Sequence, residues 1–234
     1  MNLKSLFLAI LFLSSCIFYY QITEDTIAKT STIVVRVIDG DTLELIGGQK
    51  IRLKGINTPE KLMSFSQEAT ELVRQLVENK SIEIESYGTD KYGRTLAYIF
   101  IDGKNINKEI LGEGFATLYY YEKDKYYDEL KQAEEFARLN KKGLWKNSPN
   151  ANCLKLIELK YKEQPIRCSN DELLILENSC DEISVTIKDD ATHTYKETLQ
   201  KGTFIKSFSC IWNDEGDSLY ISDEKGLLIF YRYP

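Results

Sequence analysis

From Thr32 onward, apolar and polar residues alternate in short runs: TIVVRVI (32–38), TLELI (42–46), QKIRLKGI (49–56), SIEIES (81–86) and TLAYIFI (95–101). A period of two puts every second side chain on one face, which predicts half-buried strands. Gly47-Gly48 separates the second run from the third and predicts a hairpin turn. The period lengthens to that of a helix in two places. In SFSQEATELVRQLVENK (64–80), Ala69, Leu72, Val73, Leu76 and Val77 form one apolar stripe, and Ser64 and Gln67 have the spacing of a capping box. In YYDELKQAEEFARLNKKGLW (126–145), Tyr126, Leu130, Ala133 and Ala137 do the same, with Gly143 as the stop. A shorter helix is expected around Asn105 to Glu113.

Three strands, a helix, then two more strands is the order of a small Greek-key barrel with helices packed on it, an OB-fold. The tetrapeptide Asn147-Ser148-Pro149-Asn150 marks a boundary. Beyond it EISVTIKD (182–189), GTFIKSFSCIW (202–212), SLYISD (218–223) and GLLIFYRY (226–233) are strands punctuated by acidic turns, with little helical periodicity. The expected fold class is therefore an α+β barrel domain over residues 32–148, followed by a small all-β sandwich domain over 149–234.

The N-terminus changes the picture of where the protein works. In MNLKSLFLAILFLSSCIFYYQ (1–21) a single Lys4 precedes an apolar run from Leu6 to Tyr20, short for a bilayer span of about 20 residues. Residues 1–22 are expected to be a signal segment or a membrane or lipid anchor, with 23–31 a polar spacer. Leu13-Ser14-Ser15-Cys16 resembles the cleavage box of bacterial lipoprotein signals, in which the cysteine is lipidated. An uncleaved short anchor and plain secretion stay open beside it. Each version places the body of the protein outside the cytoplasm, extracellular or on the outer face of the cell membrane.

Apart from Cys16, the cysteines are Cys153, Cys168, Cys180 and Cys210. In an oxidising compartment these suggest two disulfides, with three pairings allowed. Pairing of neighbours, 153 with 168 and 180 with 210, is the expectation. A zinc site competes, but the close Cys-x-x-Cys spacing it usually needs is absent.

The net charge of −6 argues against a broadly basic nucleic-acid surface. The acidity is uneven: residues 23–148 hold 19 Lys and Arg against 21 Asp and Glu, whereas residues 149–234 hold 10 against 15. A protein acting on nucleic acid with this balance would rely on charge local to its site. The chain has one histidine, His193, expected at the surface, so chemistry in the barrel falls to carboxylates, arginines and tyrosines. Oxygen ligands suit a hard cation such as calcium.

Three ordered motifs, VIDGDTLEL (37–45), IRLKGINTPE (51–60) and TDKYGRTLAYIF (89–100), with the closing KKGLW (141–145), resemble the thermonuclease (staphylococcal nuclease) family over about Ile33 to Trp145. The resemblance implies a calcium-dependent, sugar-non-specific endonuclease that cleaves DNA and RNA on an OB-fold. Asp41 matches the family's first metal-binding aspartate, and Asn57 falls on the second. Thr58 matches the threonine whose backbone carbonyl ligates the ion. Glu60 matches the glutamate that orients or deprotonates the attacking water. Arg52 and Arg94 match the two phosphate-holding arginines, and Lys91, Tyr92 and Tyr120 fall where the family contacts the nucleotide. Asn57 stands where the family has an aspartate, so one negative charge leaves the ligand set and weaker calcium binding is expected.

Each residue also has a plain structural reading. Asp39-Gly40-Asp41 makes a hairpin turn, Arg52 pairs with Glu44, Arg94 is a turn arginine, Glu60 opens a loop, and Tyr119 to Tyr121 pack the barrel. CIWNDEGDSLYISDEKGLLIFYRY (210–233) is similar to the end of lamin-tail-type domains, immunoglobulin-like sandwiches attached to secreted bacterial nucleases, which implies such a sandwich with an unknown ligand of its own. The expected protein is an exported monomer acting on DNA and RNA. The alternatives are a non-catalytic OB-fold that binds nucleic acid or glycan, and a surface-binding C-terminal module with the barrel as scaffold.

Overall fold

The computed structural model describes residues 30–120, 122–161, 172–191, 193–209, 211–212 and 216–233. The expectations for the N-terminal segment, Cys16, Cys168, Cys210 and Tyr121 fall outside these residues. Among the described residues no helix is long and apolar enough to cross a membrane.

The N-terminal half is built from β1 (Thr30–Val37), β2 (Thr42–Leu45), β3 (Lys50–Leu53), β4 (Ile56–Asn57), β5 (Ser81–Thr89), β6 (Thr95–Ile101), β7 (Lys104–Asn105) and β8 (Thr117–Leu118). Antiparallel pairing runs from β3 through β2, β1 and β5 to β6. The sheet then closes on itself where β6 returns parallel to β3, with Arg52 opposite Leu96. Closure leaves five strands around one interior, an OB-fold barrel. Alternation supplies its filling: Val34, Val37, Leu43, Leu45, Ile51, Leu53, Ile82, Ala97 and Ile99 are buried together. The outward positions of β1 to β3 stay polar or half exposed, whereas Tyr98 and Phe100 on the outer face of β6 are buried against Tyr126. Gly47 and Gly48 take φ of 90° and 83°, the turn the pair predicted.

Among the described residues three α-helices pack on the barrel: α1 (Ser66–Val77), α2 (Ile106–Gly112) and α3 (Tyr127–Leu139). The stripes hold, with Ala69, Val73 and Val77 buried on α1 and Leu130, Ala133 and Ala137 on α3. The capping box does not form. The chain turns first, Met63 N donating to Glu60 O, so α1 starts two residues after Ser64, at a left-handed Phe65 without a side-chain cap. Helix α2 is capped as its sequence allows, Asn105 accepting from Lys108 N at 3.2 Å. Gly143 does not stop α3, which ends at Leu139. Instead Gly143, at φ 49° and packed on the backbone of Gly114, opens a short 3-10 turn.

The C-terminal half is all-β: β9 (Leu154–Lys160), β10 (Glu172–Asn178), β11 (Ile183–Lys188), β12 (Thr194–Leu199), β13 (Gly202–Phe208), β14 (Asp217–Asp223) and β15 (Gly226–Tyr233). One sheet has the order β13-β10-β9 and the other β12-β11-β14-β15. Both contribute to a single core, Leu174, Leu176 and Phe208 from the first, and Val185, Ile187, Leu219 and Ile221 from the second.

The disulfide is not the neighbour pairing. Cys153 is bonded to Cys180, with Cα atoms 5.2 Å apart. Strands β9 and β10 pair with Leu154 opposite Asn178, and this register sets the two flanking cysteines side by side. Sheet register, not closeness in sequence, selected the pair.

The boundary tetrapeptide is stitched to the C-terminal half. Ser148 N donates to Leu227 O and Leu227 N to Lys146 O, both at 2.8 Å. Trp145 packs edge-on to Phe230 at 5.1 Å. The buried Glu134 of α3 accepts from Arg232 Nη1 of β15 at 2.6 Å. The two halves therefore share an interface with apolar and ionic parts.

Candidate active site

Asp41 sits where β1 turns into β2, in a tight corner that starts with Ile38 N donating to Thr42 O. Its own amide donates to Asp39 Oδ1 at 3.1 Å, an Asx-type turn that fixes the backbone. Gly40 is required by space. A Cβ there would lie 2.7 Å from Thr58 Oγ1 and 2.8 Å from Thr58 Cβ. The Asp-Gly-Asp corner is thus pressed against the Asn-Thr-Pro-Glu corner, joining the two ends of the folded ribbon. Thr58 donates both its amide and its hydroxyl to Asp41 Oδ2, each at 3.0 Å.

The two predicted arginines flank this carboxylate. Arg52 on β3 lies opposite Thr42 in the register and brings its Nε to 3.1 Å from Asp41 Oδ1. Its Nη1 donates to Ile56 O at 2.8 Å and also to Leu53 O, and its Nη2 donates to Asn57 Oδ1 at 3.2 Å. Glu44, the partner that a structural reading offered Arg52, is instead paired with Arg36. Arg94 approaches from the other side: its Nη1 donates to Thr42 Oγ1 at 3.2 Å, and that hydroxyl donates to Asp41 Oδ1 at 3.2 Å. Asp90 holds Arg94 in place through Nε at 2.7 Å and the backbone amide at 3.0 Å. Burial pushes the Asp90 carboxyl up, but these bonds and the one from Tyr92 N outweigh it and leave its pKa below the usual aspartate value.

Asp39 shows the opposite balance. Burial, then the charge of Asp41, raise its pKa above the usual range despite backbone bonds that oppose them. The available donors are hard oxygens, namely the Asp41 carboxylate, the Asn57 amide oxygen and the Thr58 carbonyl. Two of them, Asp41 Oδ1 and Asn57 Oδ1, converge on one guanidinium. That donor chemistry fits a cation such as calcium. Among the described residues no group of three or more His, Cys, Asp or Glu is placed to hold a metal ion by itself.

Glu60 lies two residues beyond Thr58, exposed. Lys91 and Tyr92 adjoin Arg94: the Lys91 ammonium is 5.1 Å and the Arg94 guanidinium 5.4 Å from the centre of the Tyr92 ring, which is 72% exposed. Tyr120 is engaged elsewhere. Its hydroxyl bonds Tyr98 and Asp124, and Lys54 lies over its ring while pairing with Asp124. His193, half exposed, bonds Asp189 at 2.6 Å.

Sequence reasoning missed Thr42 and Asp90, which connect and hold the arginines. The second had a signal, because an aspartate four residues before Arg94 across a Lys-Tyr-Gly turn can reach both its backbone and its side chain. It also missed a contact from the C-terminal half: Asn57 Nδ2 donates to Ala191 O at 3.1 Å. Nothing local to residues 51–60 points to Ala191.

A closed OB barrel with an acidic corner between two arginines is an arrangement able to receive a phosphodiester. The profile of the family described as "Staphylococcal nuclease homologue" matches residues 50–147. A protein of Escherichia coli O157:H7 described as an uncharacterized endonuclease is 35% identical over 120 residues, 49% of this chain and 76% of that protein. The thermonuclease of Staphylococcus hyicus is 32% identical over 126 residues, 49% of this chain and 75% of its own. Endonuclease YncB of Bacillus subtilis is 34% identical over 127 residues, 48% and 60%. The chain belongs to the staphylococcal nuclease family and is a nuclease, a hydrolase of phosphodiester bonds.

Proposed function

We propose that this chain is an exported, calcium-dependent endonuclease that cleaves DNA and RNA without regard to the sugar, acting as a monomer. Residues 32–148 form the nuclease domain, and residues 149–234 an accessory immunoglobulin-like sandwich with a ligand of its own. Residues 1–22 serve as signal or anchor ahead of the spacer 23–31, with Cys16 as a lipidation point. The observation that carries the catalytic reading is the linkage of Arg52, Asp41, Thr42 and Arg94 through contacts of 3.1 to 3.2 Å.

Asp41, Asn57 through its amide oxygen, and the Thr58 carbonyl would hold calcium. When bound, the ion neutralises phosphate charge and lowers the pKa of water. Arg52 and Arg94 donate to the non-bridging phosphate oxygens, with bonds that strengthen as negative charge accumulates during attack. Glu60, exposed at the end of the corner, accepts the proton of the attacking water. Lys91 and Tyr92 lie next to Arg94, placed to contact the neighbouring nucleotide. Tyr120 would join them only through its ring, because its hydroxyl is already engaged.

Plasmid degradation in calcium and in chelator tests the reading. Cleavage is expected with calcium only, and Arg94→Lys should lower kcat about 100-fold or more with the unfolding transition preserved. Retention of nucleic acid without cleavage, in calcium, would instead identify a binding protein.

A further inference from the structure

The replacement of an aspartate by Asn57 has a partner across the interface. Asn57 Oδ1 accepts from Arg52 Nη2 at 3.2 Å, and Nδ2 donates to Ala191 O at 3.1 Å. Reversing the amide would set a donor against the guanidinium and an oxygen against a carbonyl, so the partners fix its orientation. An aspartate could not donate to Ala191.

Ala191 lies between β11 and β12, and its carbonyl has a second donor, Lys188 Nζ at 3.0 Å. Both lone pairs of this oxygen are thereby used, one by each half of the molecule. Lys188 Nζ also donates to Asp189 O at 2.8 Å and lies 5.5 Å from the centre of the Tyr220 ring. Burial draws the Lys188 ammonium below the usual lysine range, opposed by the carboxylates that act on it, Asp189, Asp190 and Asp217 from its own half and Glu60 from the nuclease half. Arg232 also lies 3.6 Å from Asp190, and loss of the Lys188 ammonium would still leave this side more negative toward a polyanion. The hairpin is also anchored from behind: Asp190 accepts from Tyr220 Oη at 2.6 Å and from Ser218 Oγ at 3.0 Å.

We propose that Asn57 is a positioning residue whose amide fastens the β11–β12 hairpin to the nuclease cleft, so that the C-terminal half forms one wall of the substrate path and Lys188 offsets the acidic charge there. This rests on the placement of the active site at Asp41, Arg52 and Arg94. The family's aspartate is absent because this chain needs a donor at that position. The exchange gives up one ligand charge and gains a fixed wall.

The experiment uses the full chain and the variants Asn57→Asp and Lys188→Met. Hydrogen exchange of the hairpin is followed by mass spectrometry without calcium, and cleavage of a single-stranded oligonucleotide is followed at saturating calcium. Asn57→Asp removes one donor to Ala191 and sets two oxygens face to face, so hairpin amides should exchange about tenfold faster while β5 keeps its protection. Lys188→Met removes the other donor from the opposite side and serves if Asn57→Asp does not fold. It should speed hairpin exchange similarly and raise KM about three- to tenfold, with kcat within twofold. Native exchange in the hairpin of either folded variant overturns the tether, and an unchanged KM in Lys188→Met overturns the wall. Should the native chain cleave nothing, the active-site reading fails, while the exchange data still decide whether the hairpin is docked.

Discussion

At the scale of single residues, the site is a balance of charge around Asp41. Its two oxygens receive Thr58, Thr42 and Arg52, and the nearby Asp39 is left with a raised proton affinity. With Asn57 in place of a second aspartate, the proposed ligand set has one formal charge fewer. In oxygen sites affinity follows ligand charge, so Asn57→Asp should tighten calcium on the order of tenfold in isothermal titration. No tightening would remove Asn57 from the ligand set. Gly40 makes a separate test of the corner. A methyl group there must displace Thr58, so Gly40→Ala is expected to cost about 1–3 kcal/mol in urea unfolding and to lower turnover by moving the threonine that holds Asp41. An Ala variant with native stability and rate would show that the two corners are not pressed together.

At the scale of elements, the barrel was readable because closure needs only alternating strands, and Val34, Leu43, Ile51 and Ile99 are buried as their period demands. Strands β9, β10 and β12 were not singled out. The pairing of β9 with β10 skips Ile157, which breaks the period of two in β9. The disulfide was misassigned because pairing follows the register of β9 on β10, a long-range fact. The capping box failed because the turn from Glu60 to Met63 used the chain that would have formed it. The β14–β15 turn shows an element acting beyond itself. Asp223 accepts from Ser148 Oγ at 2.6 Å, Asn150 Nδ2 at 3.0 Å and two amides of its own turn. Burial raises its pKa, but these bonds outweigh it and hold the group below its usual 3.8. A depressed carboxylate stabilises the fold above its unfolded pKa, and the contribution disappears as pH falls through the folded value. Asp223→Asn should therefore cost about 1–2 kcal/mol at pH 7 and progressively less as pH falls below 3.8, which unfolding curves at the two pH values would reveal. An equal penalty at both would mean that the charge is not what secures the boundary.

At the scale of the whole molecule, the two halves meet through Glu134 and Arg232, and this pair reaches the active site. Glu134, 1% exposed, accepts from Leu118 N at 2.7 Å as well as from Arg232 Nη1 at 2.6 Å. Leu118 belongs to β8, whose antiparallel partner β4 carries Asn57. Arg232 is fixed in turn by Ser218 Oγ at 2.7 Å and lies 3.6 Å from Asp190, in the turn that presents Ala191. Two routes therefore join the halves, one through the Glu134–Arg232 ion pair and one through the Asn57 amide. Removing one member of a buried pair leaves the other charged and desolvated, a loss of about 3–5 kcal/mol. Arg232→Met should show that loss in urea unfolding. Glu134→Gln combined with it should recover part, because the stranded charge is gone while a side-chain oxygen still receives Leu118 N. If the halves are coupled this way, both unfold in one transition in the native chain, and Arg232→Met separates them into two. An Arg232→Met protein with native stability and a single transition would show that the ion pair adds nothing to their union, and that the remaining contacts between the halves suffice.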